Sequence, residues 1–101
     1  MPRILASEAE RILSNVPDHF VFRCRDGREF WNLSDLARAV SSMEHDVFSF
    51  HVNREKNDFA TWVADVIGDH PLARELWETK NQSTTLRRLA ERVVFLESRR
   101  A

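Results

Sequence analysis

Helix breakers are scarce in this chain, and their scarcity is what most constrains its fold. The 101 residues include only two glycines and three prolines. Because these two residue types interrupt regular structure most strongly, their rarity predicts a mostly helical chain. With 43% apolar content at this length, the chain suits one compact domain over residues 1–101 and is too short for two domains with separate cores.

Apolar residues recur at helical spacing from the start of the chain. A first helix is predicted over about residues 5–15, with Ser7 and Glu10 forming a capping box at its start. This helix should end before Pro17, because a proline ring disfavours the helical conformation in the residue ahead of it.

Two further helices are predicted before residue 53. Ser34 is expected to cap the first of them, over about residues 35–43. Residues 44–52 fit a second short helix that places Phe48 and His51 on one side. A third strand is the alternative for this segment.

The clearest amphipathic pattern in the chain begins at Asn57 or Asp58, and either residue can cap the helix. Gly68 is predicted to end this helix in the left-handed conformation, and the next helix starts with a proline in its first turn. Trp62 and Trp77 fall at helical spacing in these two helices. Such tryptophans are more often core residues than platforms for bases or sugars, so we expect both indoles to be buried.

One β-hairpin interrupts the helical pattern. From His19 the apolar residues alternate, Asp26-Gly27 supplies a tight turn, and residues 29–33 resume in extended form. The fold class predicted is therefore α+β, mainly α, with one hairpin packed against five or six short helices. A lone hairpin is marginal in water, so its apolar face must lie on helices or on a hairpin from another copy. Because Trp31 alternates with Phe30, we expect Trp31 on the outer face, where it needs a partner surface.

Charge and cysteine content exclude several classes of protein. Lys and Arg number 15 against 16 Asp and Glu, so no net field attracts nucleic acid or a membrane surface, and both are disfavoured as partners. The single Cys24 rules out an internal disulfide and is predicted to be a buried structural thiol rather than a nucleophile. No signal-peptide run or stretch of roughly 20 apolar residues is present, so we expect a soluble, cytoplasmic protein.

One cluster of polar residues has side chains that could take part in a reaction. It consists of His51, Asn57 and Asp58. A chain reversal between these residues could bring the imidazole and the carboxylate together, which is half of a general-base arrangement. No serine or cysteine elbow and no glycine-rich phosphate loop accompanies it, so no catalytic residue is assigned. The alternatives are that Asp58 caps a helix and that His51 is a partly buried residue bonded to a carbonyl or to Asp58. The histidine spacings match no ligand signature, so no metal and no cofactor is predicted.

The last predicted helix is basic and also rich in apolar residues. Val93-Val94-Phe95-Leu96 is wider than one buried face requires, so Phe95 is expected to be exposed as a packing surface for a second chain. The basic residues could meet phosphates, but Glu91 and Glu97 interrupt them, and a solvated face is the preferred interpretation. They are Arg87, Arg88, Arg92, Arg99 and Arg100.

A set of short sequence motifs spans about residues 20–80: Phe20-x-Phe22, Asp26-Gly27, Asn32-Leu33-x-x-Leu36, Phe48-x-x-His51-Val52-Asn53, Asn57-Asp58-Phe59-Ala60-x-Trp62-Val63 and Leu72-Ala73. In these motifs the chain resembles a family of small prokaryotic proteins catalogued only as a domain of unknown function. The resemblance implies that the hairpin and the segment from His51 to Trp62 belong to one unit, flanked by the first and last helices. It implies no activity, substrate or cofactor.

The function predicted from these patterns is a non-catalytic interaction module that binds a protein partner or its own copy. Trp31 and Phe95 are its expected contact residues. A small-ligand or metal-assisted site at His51, Asn57 and Asp58 is the first alternative. Nucleic-acid binding through the basic last helix is the second.

Overall fold

Six α-helices and a two-stranded antiparallel hairpin make up the computed structural model, which describes residues 4–100. The elements are α1 (Ala6–Leu13), β1 (Phe22–Arg23), β2 (Glu29–Phe30), α2 (Leu33–Ser42), α3 (His45–His51), α4 (Asp58–Trp62), α5 (His70–Trp77) and α6 (Gln82–Arg99). A 3₁₀ turn at Asp18–Phe20 precedes β1, and a π-helix at Val63–Ile67 follows α4. The chain is therefore mainly α within the α+β class, as predicted. None of these helices is long and apolar enough to cross a membrane.

Asparagine or aspartate side chains begin four of the helices. In each case the side chain accepts the backbone N–H three residues ahead, which satisfies a donor that the first helical turn leaves unpaired. The pairs are Asn32 with Asp35, Asn57 with Ala60, Asp69 with Leu72, and Asn81 with Thr84.

The caps predicted at Ser7 and Ser34 are wrong. α1 begins at Ala6, and the residue before it is Leu5, whose side chain has no oxygen to accept a hydrogen bond. In α2 the Asn32 carboxamide already takes the capping role, so the helix starts earlier and Ser34 lies inside its first turn. Asparagine and serine are almost equally good caps, so composition alone does not choose between them.

The hairpin is shorter than its alternating pattern predicts. Phe22 pairs with Phe30 across the two strands, and their rings stack with centroids 5.5 Å apart. Gly27 closes the turn with a positive φ of 95° and donates its N–H to the carbonyl of Cys24 at 3.0 Å. His19 and Phe20 were expected to be extended, but they belong to the 3₁₀ turn Asp18–Phe20, in which the N–H of Phe20 donates to the carbonyl of Pro17.

The segments around α3 and α5 follow their sequence signals. Residues 44–52 contain the helix α3, so the alternative of a third strand for this segment is wrong. Gly68 ends the helical run at a φ of 83°, and Pro71 lies in the first turn of α5, both as predicted. The carbonyl of Val63 accepts the N–H groups of Gly68 and Asp69, at 2.8 and 3.2 Å, and so closes the π-helix.

One cluster of buried apolar side chains receives residues from all six helices and both strands. Trp62 is part of this core, as predicted, and its indole N–H donates to the carbonyl of Phe20 at 2.7 Å. Trp77 was also expected in the core, but 51% of it is exposed. Leu72, Ala73 and Leu76 form the buried face of α5, and Trp77 lies one residue beyond it, about 100° further round the helix.

Trp31 does not lie on an open outer face of the hairpin. It is half-buried and packs against the core. β2 ends at Phe30, so the alternation that placed Trp31 outside does not extend to it. Its N–H donates to the Asp35 carboxylate at 2.9 Å, and its carbonyl accepts the N–H of Val16 at 2.8 Å.

Candidate functional site

His51 and Asp58 meet where α3 ends and α4 begins. The turn between them is closed by a bridge between Val52 and Asn57 and by a bond from the N–H of Asn53 to the carbonyl of Lys56 at 2.9 Å. This reversal brings Nδ1 of His51 to 2.9 Å from Oδ2 of Asp58. The imidazole is 3% exposed, so the pair lies at the edge of the core.

The bonding pattern determines which ring nitrogen of His51 carries the proton. The backbone N–H of Arg25, in the hairpin turn, points at Nε2 over 3.0 Å. A backbone N–H can only donate, so Nε2 must accept and the imidazole is neutral there. The proton is then on Nδ1, which donates to Asp58.

Cys24 is a third member of this cluster. Its Sγ lies 3.7 Å from Nε2 of His51, so the three side chains stand in the order thiol, imidazole, carboxylate. Aromatic rings enclose the imidazole, with centroid distances of 5.2 Å to Phe22, 5.0 Å to Phe50 and 5.2 Å to Phe59. The hairpin turn is thereby held against the end of α3.

Two features argue against nucleophilic chemistry at Cys24. The residue is only 7% exposed, and this burial raises the pKa of its thiol, whereas the thiolate is the nucleophilic form. The lone pair of His51 Nε2, which a general base would use, already accepts the N–H of Arg25. Cys24 is buried, as predicted.

Asp58 is not the helix cap that the sequence suggested. Asn57 caps α4, and Asp58 follows it as the first helical residue. The Asp58 carboxylate accepts from Nζ of Lys56 at 2.8 Å as well as from His51. Burial acts to raise the pKa of Asp58, but the hydrogen bonds from Lys56 and His51 and the positive charge of Lys56 outweigh it, so the pKa is lowered.

The structure joins His51 to Asp58 but engages Asn57 elsewhere. Asn57 is 4% exposed, its carboxamide nitrogen donates to the carbonyl of Leu76 at 2.9 Å, and its oxygen accepts the N–H of Ala60 at 3.0 Å. The side chain therefore ties α4 to the end of α5. Within residues 4–100, no group of three or more His, Cys, Asp or Glu side chains is placed to hold a metal ion.

A groove between α5 and α6 is the second candidate site. The Phe95 ring is 36% exposed there, as predicted, and the guanidinium carbons of Arg92 and Arg99 lie 5.3 and 5.2 Å from its centroid. The groove encloses about 190 Å³ and is lined by Pro71, Leu72, Glu75, Arg88, Glu91, Arg92 and Phe95.

Arg88 is incompletely satisfied in this groove. Its Nε is enclosed and has no hydrogen-bond partner among the described residues. Its terminal nitrogen lies 3.8 Å from a carboxylate oxygen of Glu75, which is too long for a hydrogen bond. The groove is thus lined by an arginine whose covered Nε–H has no acceptor among the described residues, next to an exposed aromatic ring.

Carboxylates face most of the arginines of α6 and also Arg100, which follows the helix. A buried ion pair joins Arg92 to Asp69, whose side chain is 0% exposed, through bonds of 2.7 and 2.9 Å. The remaining pairs are Arg87 with Glu91, Arg88 with Glu75, and Arg100 with Glu97. The basic stripe is therefore largely neutralised along its length.

Sequence patterns did not reveal Cys24 or Arg92 as partners in these clusters. Cys24 is 27 residues from His51, and Arg92 is 23 residues from Asp69. No local spacing encodes such contacts. The one sequence signal for these contacts was the predicted hairpin turn. Its backbone N–H and C=O groups need hydrogen-bond partners where the turn packs against the end of a helix.

Comparison with known proteins finds no matching family model, and no curated protein or solved structure is detectably similar to the chain. The candidate sites are therefore distinguished by their geometry.

Proposed function

We propose that this protein is a small non-catalytic interaction module that binds a protein partner in the groove between α5 and α6. One observation carries the proposal: exposed Phe95 lines the same groove as Arg88, whose enclosed Nε–H has no acceptor among the described residues. A buried donor left without an acceptor costs about 1–3 kcal/mol. A partner that draws the partly exposed Arg88 guanidinium toward an oxygen atom of its own removes that cost on binding.

The shape and chemistry of the groove describe the partner. Its volume of about 190 Å³ has room for one large side chain, and Pro71, Leu72 and Phe95 supply apolar contact. Aromatic residues and arginine are the types most enriched where interfaces concentrate their binding energy. The expected partner is a protein segment that inserts one apolar side chain and presents a carbonyl or carboxylate oxygen to Arg88.

The other candidate functions have weaker support. A ligand at His51 would have to displace existing bonds, since both ring nitrogens are engaged. Nucleic-acid binding is disfavoured by the carboxylates beside the α6 arginines. The earlier contact residue Trp31 is not retained, because it packs against the core. A cytoplasmic location and membership of the prokaryotic family are parts of the same proposal, and both rest on the sequence patterns.

Two neighbouring positions of α6 provide a matched test. Phe95→Glu places a carboxylate in the groove, whereas Val94→Glu makes the same change at a residue that is 69% exposed and does not line the groove. Peptides selected from a displayed random library against the wild-type protein supply the probe. Thermal unfolding first establishes that both variants are folded.

We expect selected peptides to bind wild type and Val94→Glu equally, and Phe95→Glu at least tenfold more weakly. Arg88→Met should also weaken binding, because it removes the unused donor. Failure to enrich any peptide, or equal loss in Val94→Glu and Phe95→Glu, would overturn the proposal. Light scattering tests whether a second copy of the chain occupies the groove. A dimer that forms in wild type and Val94→Glu but not in Phe95→Glu would establish this.

A further inference from the structure

The hairpin turn is hydrogen-bonded to the end of α3 through Nε2 of His51. The N–H of Arg25 donates to this atom at 3.0 Å, and Sγ of Cys24 lies 3.7 Å from it. The ring is 3% exposed. The bond from Arg25 therefore depends on one enclosed lone pair, and Cys24 packs beside it.

That lone pair exists only in the neutral imidazole. A protonated imidazole carries a hydrogen on both nitrogens and accepts no hydrogen bond. In that form the N–H of Arg25 and the new N–H of His51 would point at each other across 3.0 Å. The two groups cannot both keep their positions.

Charged groups from several elements face the ring. Asp58 of α4 accepts from Nδ1 and favours a protonated ring, while Lys56 bonds to the same carboxylate oxygen and opposes this effect. On the hairpin side, the Arg25 guanidinium lies 4.4 Å from the centroid of the Phe50 ring, which itself packs on the imidazole. Cys24 approaches Nε2 as a neutral thiol. Protonation of the ring therefore has one stabilising neighbour and two cationic neighbours.

We propose that His51 is a pH-sensitive latch, which holds the hairpin turn 24–28 against α3 while it is neutral and releases the turn when it is protonated. Histidine is the side chain that commonly serves as a pH sensor in proteins, and here the geometry at Nε2 couples its protonation to the position of the turn. Release of the turn breaks the bond from Arg25 and uncovers the thiol of Cys24. The latch does not depend on the proposed groove partner.

Hydrogen exchange of the Arg25 amide tests the latch directly. Its rate is measured by NMR between pH 5 and 8 and corrected for the intrinsic pH dependence of amide exchange, while the ring signals of His51 follow protonation. Protection of Arg25 should fall at least tenfold as His51 is protonated. Unchanged protection through the titration of His51 would overturn the proposal.

Substitution at two histidines of α3 separates the latch from general acid effects. His51→Gln keeps an acceptor near the position of Nε2 but does not titrate, so the pH dependence of Arg25 protection should disappear. His45→Gln removes an exposed histidine at the start of the same helix and should leave the transition intact. Loss of the transition in His45→Gln would contradict the assignment to His51.

A measurement on the unaltered protein covers the case in which His51→Gln does not fold. The reaction rate of Cys24 with 4,4′-dithiodipyridine is compared, at each pH, with the rate in urea-unfolded protein. This ratio removes the intrinsic loss of thiolate on acidification. The ratio should rise at least tenfold on acidification from pH 8 to pH 5, and a constant or falling ratio would show that the turn stays closed.

Discussion

Replacing Arg92 by methionine should destabilise the protein by about 3–5 kcal/mol, the usual cost of removing one partner of a buried ion pair. The Asp69 carboxylate is 0% exposed and would keep only one long bond, from the N–H of Leu72 at 3.3 Å. Methionine preserves most of the apolar stem. It also removes the Arg92 guanidinium from the Phe95 ring, a contact worth about 0.5–1 kcal/mol at an exposed site.

Replacing the other partner of the ion pair, Asp69, should destabilise the protein less. Asp69→Ala removes the cap of α5, worth about 1 kcal/mol, but the Arg92 side chain is 20% exposed and can turn its charge toward water. We therefore expect a loss of about 1–2 kcal/mol. In the double variant no charge remains buried, so Asp69→Ala should raise the stability of Arg92→Met.

Urea unfolding of the four proteins measures these differences as a double-mutant cycle. Thermal unfolding gives a second readout, and Arg92→Met should lower Tm by about 12 °C or more. Two results would refute the reasoning: a double variant less stable than Arg92→Met, or an Asp69→Ala loss as large as that of Arg92→Met. Either would mean that the carboxylate is not held buried by its arginine.

Three further predictions concern the ends of short elements. Asn57→Ala should lower the free energy of unfolding in urea by about 2–4 kcal/mol, since it removes a helix cap and a buried hydrogen bond between helices. The control Asn81→Ala, at an exposed cap, should lower it by about 1 kcal/mol. Equal losses of stability in the two variants would contradict the role of the Asn57 amide. Gly68→Ala should lower the free energy of unfolding by about 1–2 kcal/mol because Gly68 has a φ of 83°, and Gly68→Asn should lower it by less. Equal losses of stability in the two variants would argue against backbone strain. The lowered pKa of Asp58 means that its charged form adds stability at neutral pH, which is lost as pH falls below its ordinary value of 3.8. Acid unfolding of Asp58→Asn should therefore be shallower than that of wild type, and an unchanged acid limb would contradict this.

Most helices and the hairpin could be predicted from the sequence because the interactions that begin and end them act over a few residues. Gly68 and Pro71 mark their boundaries through backbone geometry alone, and the spacing in residues 44–52 was enough to place α3. Errors arose where two local solutions have nearly equal free energy, as between Asn32 and Ser34. Trp77 shows a different limit, because helical spacing places a residue at the edge of a buried face without showing whether a neighbouring element covers it.

The candidate site could be predicted only in part, for the same physical reason. His51 and Asp58 flank one short turn, so their contact follows from local chain reversal. The contacts of Cys24 and Arg92 depend on how the hairpin and α6 pack against distant elements. Which way the Asn57 carboxamide points is also a tertiary outcome, because the Leu76 carbonyl that it meets belongs to the next helix.

The shortness of the helices explains why polar clusters in this chain are poor indicators of function. α3 and α4 have seven and five residues, and isolated helices shorter than about 12–15 residues are marginal in water. Each such helix needs bonds at its ends, and Asn57, Asp69 and His51 supply them. A dense group of polar side chains is therefore the expected product of this architecture. The informative polar groups are those that the architecture leaves unsatisfied. Among the described residues these are Oγ1 of Thr85 and Nε of Arg88, and of the two only Arg88 lines the groove beside Phe95.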